Sequence, residues 1–219
     1  ILSPAFAVDR TEVILMKLRE LIDQGVIPQI PIYVDSPMAL KALDYYRQAI
    51  NEGSAEIRAE VRKKWAGVDP FDPGQLNQMH TTEQSISLNK LLTNAIIISA
   101  SGMGTGGRVV HHLEQILPDK NNTVILVGFQ AVGTRGASLL EGATQIKMFG
   151  QFVPVAAKIE HIESFSVHAD SNELITWLKQ VNNPKQVFVV HGDKQSAQTF
   201  ATRLNTELGW NAITPKAAQ

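Results

Sequence analysis

The chain has 219 residues, 44% of them hydrophobic and 19% charged, with a formal net charge of -1 and an isoelectric point near 6.7. These figures exclude a fibrous or intrinsically disordered chain and a broadly basic nucleic-acid coat, so any polyanion contact must come from a local set of donors. There is no cysteine, which removes disulfides, thiolate nucleophiles and sulfur-ligated zinc and leaves His, Asp and Glu as candidate metal ligands.

The opening residues Ile1-Leu2-Ser3-Pro4-Ala5-Phe6-Ala7-Val8 read as a strand already under way, with no starting Met, basic segment or cleavage pattern, as expected of a fragment. Residues 11–22 then place Val13, Ile14, Met16, Leu18, Leu21 and Ile22 at helical spacing, and Gly25 stops the helix. A short apolar run at 30–34 follows. Asp35-Ser36-Pro37 is suited to cap a helix from Met38 to about residue 50, with Pro37 in its first turn. Residues 51–94 are polar and broken by Pro and Gly, which predicts peripheral helices and loops without chemistry. Within them the charged stretch 58–64 reads as a solvated helix face and His80 as an ordinary exposed histidine.

From Ala95 the pattern tightens into a strand at 95–99, a glycine-rich turn, a helix at 107–117 and a strand at 123–128. So short a crossover implies two parallel strands flanking a helix. Beyond Gly133, residues 145–149 and 153–162 predict a hairpin, and this change of pattern places a domain boundary near Val132. Asp170 and Glu173 stand at capping-box spacing before Leu174, Ile175, Trp177 and Leu178. A strand at 187–190 and a helix from about 194 to 208 end the series. No apolar run approaches the roughly 20 residues that span a bilayer, so no membrane partner is expected.

Two features carry chemistry. Gly102, Gly104 and Gly107 satisfy G-x-G-x-x-G between a strand and a helix. A dinucleotide site would want an acidic residue at the end of the next strand, where Gly128-Phe129-Gln130 stands instead. What survives is a loop whose backbone N–H groups and helix start favour a phosphate, with Ser101 and Arg108 as added donors. A glycine turn needed only for close packing is the plain alternative, and at least one of His111 and His112 should be a packed residue. The second feature is His168, in a loop among small residues just before the Asp170 cap. One histidine supplies one of the three or four ligands zinc takes, and a helix-entry histidine is the plain alternative. His191 follows the last apolar strand in His191-Gly192-Asp193, where turn chemistry would also account for it. His161 reads as structural.

The order and spacing of several motifs resemble the β-CASP family of metallo-β-lactamase-fold nucleases, which includes the messenger-RNA 3′-end processing endonuclease and its bacterial and archaeal relatives. The matching segments are Pro4-Ala5-Phe6-Ala7-Val8-Asp9-Arg10-Thr11-Glu12, where a glycine or similar small residue is more usual than Asp9, and Ile30-Pro31-Ile32-Tyr33-Val34-Asp35-Ser36-Pro37-Met38-Ala39. They continue with Ser101-Gly102-Met103 through Arg108 and His111-His112-Leu113, and with the stretch from Ser164 to Asp170. The resemblance covers nearly the whole chain and is that of the carboxy-terminal half of such a nuclease.

It implies an α/β fold in two parts. Residues 1–132 would form most of a β-CASP domain, a mainly parallel sheet flanked by helices. Residues 133–219 would be the carboxy-terminal segment of a metallo-β-lactamase αββα domain. It further implies His168 as the last metal ligand and catalytic residue, with Ser138 standing where eukaryotic members carry a catalytic-site histidine. Ser101, Gly102, Gly104, Gly107, Arg108, Thr134, Arg135 and His191 would face phosphate or RNA. The parent would be a zinc-dependent RNA hydrolase with two metal ions, in which metal-activated water attacks a phosphodiester. Its partners would be RNA and the missing amino-terminal half, with a homodimer allowed and a cytoplasmic location. No His-x-His-x-Asp-His occurs, so the isolated chain is expected to be silent. A non-catalytic RNA-binding or partner-docking module and a nucleotide-binding enzyme using the glycine loop remain as rivals.

Overall fold

The computed structural model describes residues 1–91, 94–165 and 168–215. The chain divides into two compact units, residues 1–166 and 167–219.

The first unit is built on a six-stranded sheet. Its strands are β1 (Leu2–Pro4), β2 (Ile32–Val34), β3 (Leu76–Gln78), β4 (Ile96–Ser99), β5 (Thr123–Val127) and, after a separate hairpin of β6 (Gln145–Met148) and β7 (Gln151–Pro154), β8 (Lys158–Ile162). The sheet order is β3-β2-β4-β1-β5-β8, and every pair in it is parallel. Helices α1 (Arg10–Asp23), α2 (Pro37–Asn51), α3 (Ala59–Lys64), α4 (Thr82–Ser87), α5 (Arg108–Ile116) and α6 (Arg135–Leu140) connect the strands.

Helices pack on both faces of the sheet, which is why its central strands β4 and β5 are largely apolar rather than alternating. Ile97 of β4 packs with Leu2, Val124 and Leu126 against Val109, Val110 and Leu113 of α5. Its neighbours Ile96 and Ile98 point the other way and pack with Ile32 and Val34 against Ile14, Leu15, Leu40 and Leu43 of α1 and α2. The helix ends follow their sequence signals. Ser36 accepts from Ala39 N–H at 3.3 Å ahead of Pro37, whose missing N–H costs nothing in a first turn.

Two expectations change. The polar stretch 51–94 is not all periphery, because Leu76–Gln78 pairs with β2 as an edge strand of the main sheet. Only one side of an edge strand is paired, so polar residues such as Asn77 and Gln78 are tolerated there. The second change is at 153–162, where one expected strand becomes two. Ala156 and Ala157 N–H both donate to the Leu117 carbonyl, at 2.8 and 2.9 Å, at the carboxyl end of α5 where carbonyls lack helical partners. The chain turns there, and β8 pairs with β5 over five residues from Thr123↔Lys158 to Val127↔Ile162. The sheet therefore runs on past Val132, and the compact first unit closes only at residue 166.

The second unit holds α7 (Ser171–Leu178), β9 (Val187–Phe188), α8 (Lys194–Leu208) and β10 (Ala212–Ile213), with β9 and β10 parallel. Ile175, Ala201, Leu204 and Ala212 form its core. The strand expected over 187–190 is only two residues long. Among the described residues, no helix is long and apolar enough to cross a membrane.

Candidate functional site

Because the six strands are parallel, their carboxyl ends share one edge, where open α/β sheets carry functional groups. The order makes β1 a switch point: the chain leaves β1 through α1 toward β2, but leaves β4 through α5 toward β5 on the opposite side. The loop after β4 and the loop after β5 are tied together at this edge. Gln130 Nε2 donates to the Gly102 carbonyl at 3.2 Å, and Gly136 N–H to the Met103 carbonyl at 3.0 Å. Arg135 Nη1 donates to the carbonyls of Gly104 at 3.0 Å and Thr105 at 3.2 Å. Two of the glycines are required by this packing. A Cβ at Gly102 would lie 3.0 Å from Phe6, and one at Gly107 would lie 2.8 Å from the Ala100 carbonyl in a backbone of φ 80.

Several residues expected to meet phosphate, and Ser138 expected at the catalytic site, make hydrogen bonds within the protein. The Ser101 hydroxyl accepts from Thr105 N–H at 3.1 Å and Gly106 N–H at 3.4 Å, so it organises the turn from inside. Thr134 caps α6 by accepting from Ala137 N–H at 3.2 Å and donates to the Ala131 carbonyl at 2.6 Å. Ser138 Oγ donates to the Thr134 carbonyl at 3.2 Å within the same helix. Arg108 gives up its expected role most clearly: Nη1 donates to Asp35 Oδ1 at 2.7 Å and to the Met79 carbonyl at 2.9 Å.

Asp35 is the centre of a buried polar network. Its side chain has no exposed surface and accepts from Arg108, from Ser85 Oγ at 2.5 Å and from His112 Nε2 at 2.6 Å. Its backbone carbonyl accepts from Ser99 Oγ at 2.8 Å. Burial pushes the Asp35 carboxyl up, but the hydrogen bonds from His112, Ser85 and Arg108 and the charge of His112 outweigh it and hold the carboxyl below its ordinary value. The network joins the ends of β2 and β4 to α4 and α5, and so fixes the start of the helix that follows the glycine loop. Three donors on one carboxylate keep this buried charge satisfied. It accounts for His112, 2% exposed, as the packed member of the histidine pair. Ser85 and the Met79 carbonyl, with the His80 carbonyl that accepts from Arg108 Nη2 at 3.4 Å, come from the stretch in which the sequence showed no chemistry.

Sequence reading missed two charged groups in the first turn of α1. Arg10 is 5% and Glu12 3% exposed, yet neither carboxylate oxygen of Glu12 nor Nε and Nη1 of Arg10 has a hydrogen-bond partner. Burial raises the Glu12 carboxyl to about 7, with the charge of Asp9 adding to the rise, while the nearby backbone N–H groups of Glu12 and Asp9, outside good hydrogen-bond geometry, offset part of it. Buried, unpartnered charges are rare in folded proteins and mark functional sites when they gather at such an edge. The available signal was a pair of charges inside an otherwise core-facing first turn. Asp9 precedes them at φ 64, in the left-handed region where small residues are favoured.

The remaining histidines separate. His161 Nε2 meets the Gly128 carbonyl at 2.9 Å, a structural contact as read. His111 stacks on Phe149, with centroids 4.6 Å apart and planes 20° apart. In the second unit, His191 has φ 65 in the turn before Asp193, which caps α8 by accepting from Gln195 and Ser196 N–H. His168 is exposed and stands just before the Asp170 cap. Its expected motif runs through Ser166 and Val167, which lie outside the described residues. The cap itself is present, with Asp170 Oδ1 accepting from Asn172 and Glu173 N–H at 2.7 and 2.9 Å and Glu173 Oε2 accepting from Asp170 N–H at 2.8 Å. Among the described residues, no three His, Asp or Glu side chains converge to hold a metal.

Residues 11–139 match the family model described as the Beta-Casp domain. The chain belongs to the β-CASP family. Residues 153–215 of this β-CASP chain match a second model, the Zn-dependent metallo-hydrolase RNA specificity domain. The first match covers α1, the Asp35 network and the glycine loop; the second covers His168 and the whole of α7 and α8. Ribonuclease TTHA0252 of Thermus thermophilus is 34% identical over 195 residues, which is 89% of this chain and 43% of that protein. The RNase J-like protein of Methanocaldococcus jannaschii is 33% identical over 201 residues, 92% of this chain and 45% of that protein. Transcription termination factor FttA of Pyrococcus horikoshii is 30% identical over 221 residues, 98% of this chain and 33% of that protein. The chain thus spans less than half the length of the curated relatives it matches.

Proposed function

We propose that this chain is the RNA-engaging, carboxy-terminal part of a zinc-dependent RNA hydrolase, acting on phosphodiesters. The observation that carries the reading is the co-linear match of a β-CASP domain and an RNA specificity domain to a chain whose strand ends gather a braced glycine loop and the unpartnered Glu12 and Arg10. The ribonuclease names of two relatives support the reaction class.

The described residues do not make a zinc site by themselves, since zinc takes three or four protein ligands. In this reading His168 supplies one ligand and the rest come from a His-x-His-x-Asp-His half. An apolar groove of about 670 Å³, lined in part by Ile14, Leu18, Ile125 and Ile162, supports the expectation that further polypeptide packs on the first unit. What this chain contributes on its own is placement: in this reading the glycine loop, braced from inside through Ser101, offers its outer surface at the strand ends to phosphate, and the buried Glu12 carboxyl, raised to about 7, is able to take or give a proton. In the same reading the metallo-β-lactamase segment lies within residues 133–219, although the compact first unit runs on to residue 166, and the setting is cytoplasmic.

The experiment is metal analysis with an RNA-cleavage assay on the isolated chain and on the polypeptide extended to the length of its relatives. The extended protein should bind zinc and cleave RNA in an EDTA-sensitive way, and His168→Ala should abolish both. The isolated chain should do neither. Stoichiometric zinc and EDTA-sensitive cleavage from the isolated chain would overturn the incomplete-site reading, while RNA binding without cleavage by the extended protein would favour a non-catalytic module.

A further inference from the structure

The β6–β7 hairpin turns on Phe149-Gly150, between the paired residues Met148 and Gln151. Both turn residues have positive φ, 48 at Phe149 and 80 at Gly150, as a two-residue hairpin turn of the favoured hand requires. The first of these positions ordinarily takes Asn or Asp, whose short polar side chains tolerate the left-handed region. A bulky aromatic residue is strained there, and an observed strain of this kind is a reason to look for function.

The aromatic group is not folded away. Phe149 remains 53% exposed, with one side stacked on the imidazole of His111. Next to it Phe152 is 61% exposed and lies directly across the hairpin from Lys147, whose ammonium sits 5.9 Å from its ring. The opposite face of the same hairpin buries Ile146, Met148 and Val153 in the core, so the period-two alternation alone would have called for polar residues on the outside. Residues 145–154 contain Lys147 and no carboxylate. Arg135 ties this patch to the glycine loop, donating from Nε to the Lys147 carbonyl at 3.2 Å and from Nη1 to the Gly104 carbonyl at 3.0 Å.

We infer that the exposed faces of Phe149 and Phe152 form a stacking platform for unpaired bases of single-stranded RNA, continuous with the glycine loop. The inference rests on the RNA reading above and adds to it the surface on which the bases would be held. Exposed aromatic rings interleaved with a cation are the arrangement that receives splayed bases, because every base has a face to stack while a duplex hides its faces. The adjoining loop would take backbone phosphate.

The test is fluorescence anisotropy of the chain with a fluorescein-labelled oligouridylate of about 12 nucleotides and with the corresponding duplex. Phe149→Asn is the informative variant, since Asn suits the turn and should leave thermal stability unchanged or raised. It should weaken single-strand binding about tenfold, and Phe152→Ala similarly, as loss of one stacked base predicts. Duplex binding should not change. The platform is overturned if Phe149→Asn binds the oligouridylate like the wild type, in which case the RNA reading still stands on the two domain matches. It is also overturned if single strand and duplex weaken equally, or if the substitutions abolish self-association in sedimentation and leave RNA binding intact. A wild-type chain that binds neither RNA overturns the platform, and the cleavage assay on the extended protein then decides the RNA reading separately.

Discussion

Replacing Glu12 by Gln should stabilise the protein at alkaline pH and leave it almost unchanged in acid. The carboxyl moves from an ordinary 4.5 to about 7 on folding, chiefly because it is buried without a hydrogen-bond partner. The folded state therefore holds this proton more tightly than the unfolded chain, and between these two values unfolding releases it. Stability consequently falls as pH rises through that window and levels off above about 7. At about 1.36 kcal/mol per unit the full penalty has a ceiling of roughly 3 kcal/mol. Gln keeps the shape and removes the charge, so the difference between the two proteins should be close to zero at about pH 4 and approach that ceiling at about pH 8. Urea unfolding of both proteins across this range measures it, and taking the difference cancels the groups they share. An equal difference at both ends, or a Gln variant less stable in alkali, would show that Glu12 has a partner that offsets its burial, and the assignment of a proton-exchanging role would lose its basis.

Removing the Asp35 side chain should cost far more. Asp35→Ala leaves the buried His112 imidazole without its acceptor and strips the carboxylate from the part-buried Arg108, which keeps only carbonyl acceptors, and about 3–5 kcal/mol of stability should disappear in urea unfolding at neutral pH. Because the Asp35 carboxyl is held below its ordinary value, its contribution is full above about pH 4 and is lost as the pH falls below that, so acid unfolding of the variant should be shallower. Gly107→Ala forces a Cβ to within 2.8 Å of the Ala100 carbonyl at φ 80. It should lower the melting temperature, by at least about 1 kcal/mol of stability, and weaken RNA binding in the same anisotropy assay. In the second unit, Asp170→Ala breaks both halves of the capping box and should cost about 1 kcal/mol of local stability, read as faster hydrogen exchange in the first turn of α7.

Local signals carried much of the architecture. Hydrophobic periodicity, the Ser36-Pro37 and Asp170–Glu173 caps and Gly25 placed α1, α2, α5, α7 and α8 within a few residues, because each depends on contacts one helical turn apart. The joint order of the Pro4 to Glu12 segment, the Asp35-Ser36-Pro37 segment, the glycine loop and the Ser164 to Asp170 motif pointed to the β-CASP family. It could not say what the side chains at those places do. Arg108 stood in sequence as a donor for phosphate, and only the approach of β2 and α4 brings Asp35 and the Met79 carbonyl to it instead. Ser85 and β3 were unreadable for the same reason, since an edge strand and a buried serine gain their meaning from partners 40 to 50 residues distant in the chain. Glu12 was in plain view as one more acid in a helix, and burial without a partner is a property of the packed molecule alone. The sequence by itself therefore determined the family, the helices and the loop that interrupts β4 and α5. The tertiary structure decided which polar groups are taken up within the protein and which remain available, because hydrogen-bond satisfaction is set by neighbours that only folding brings together.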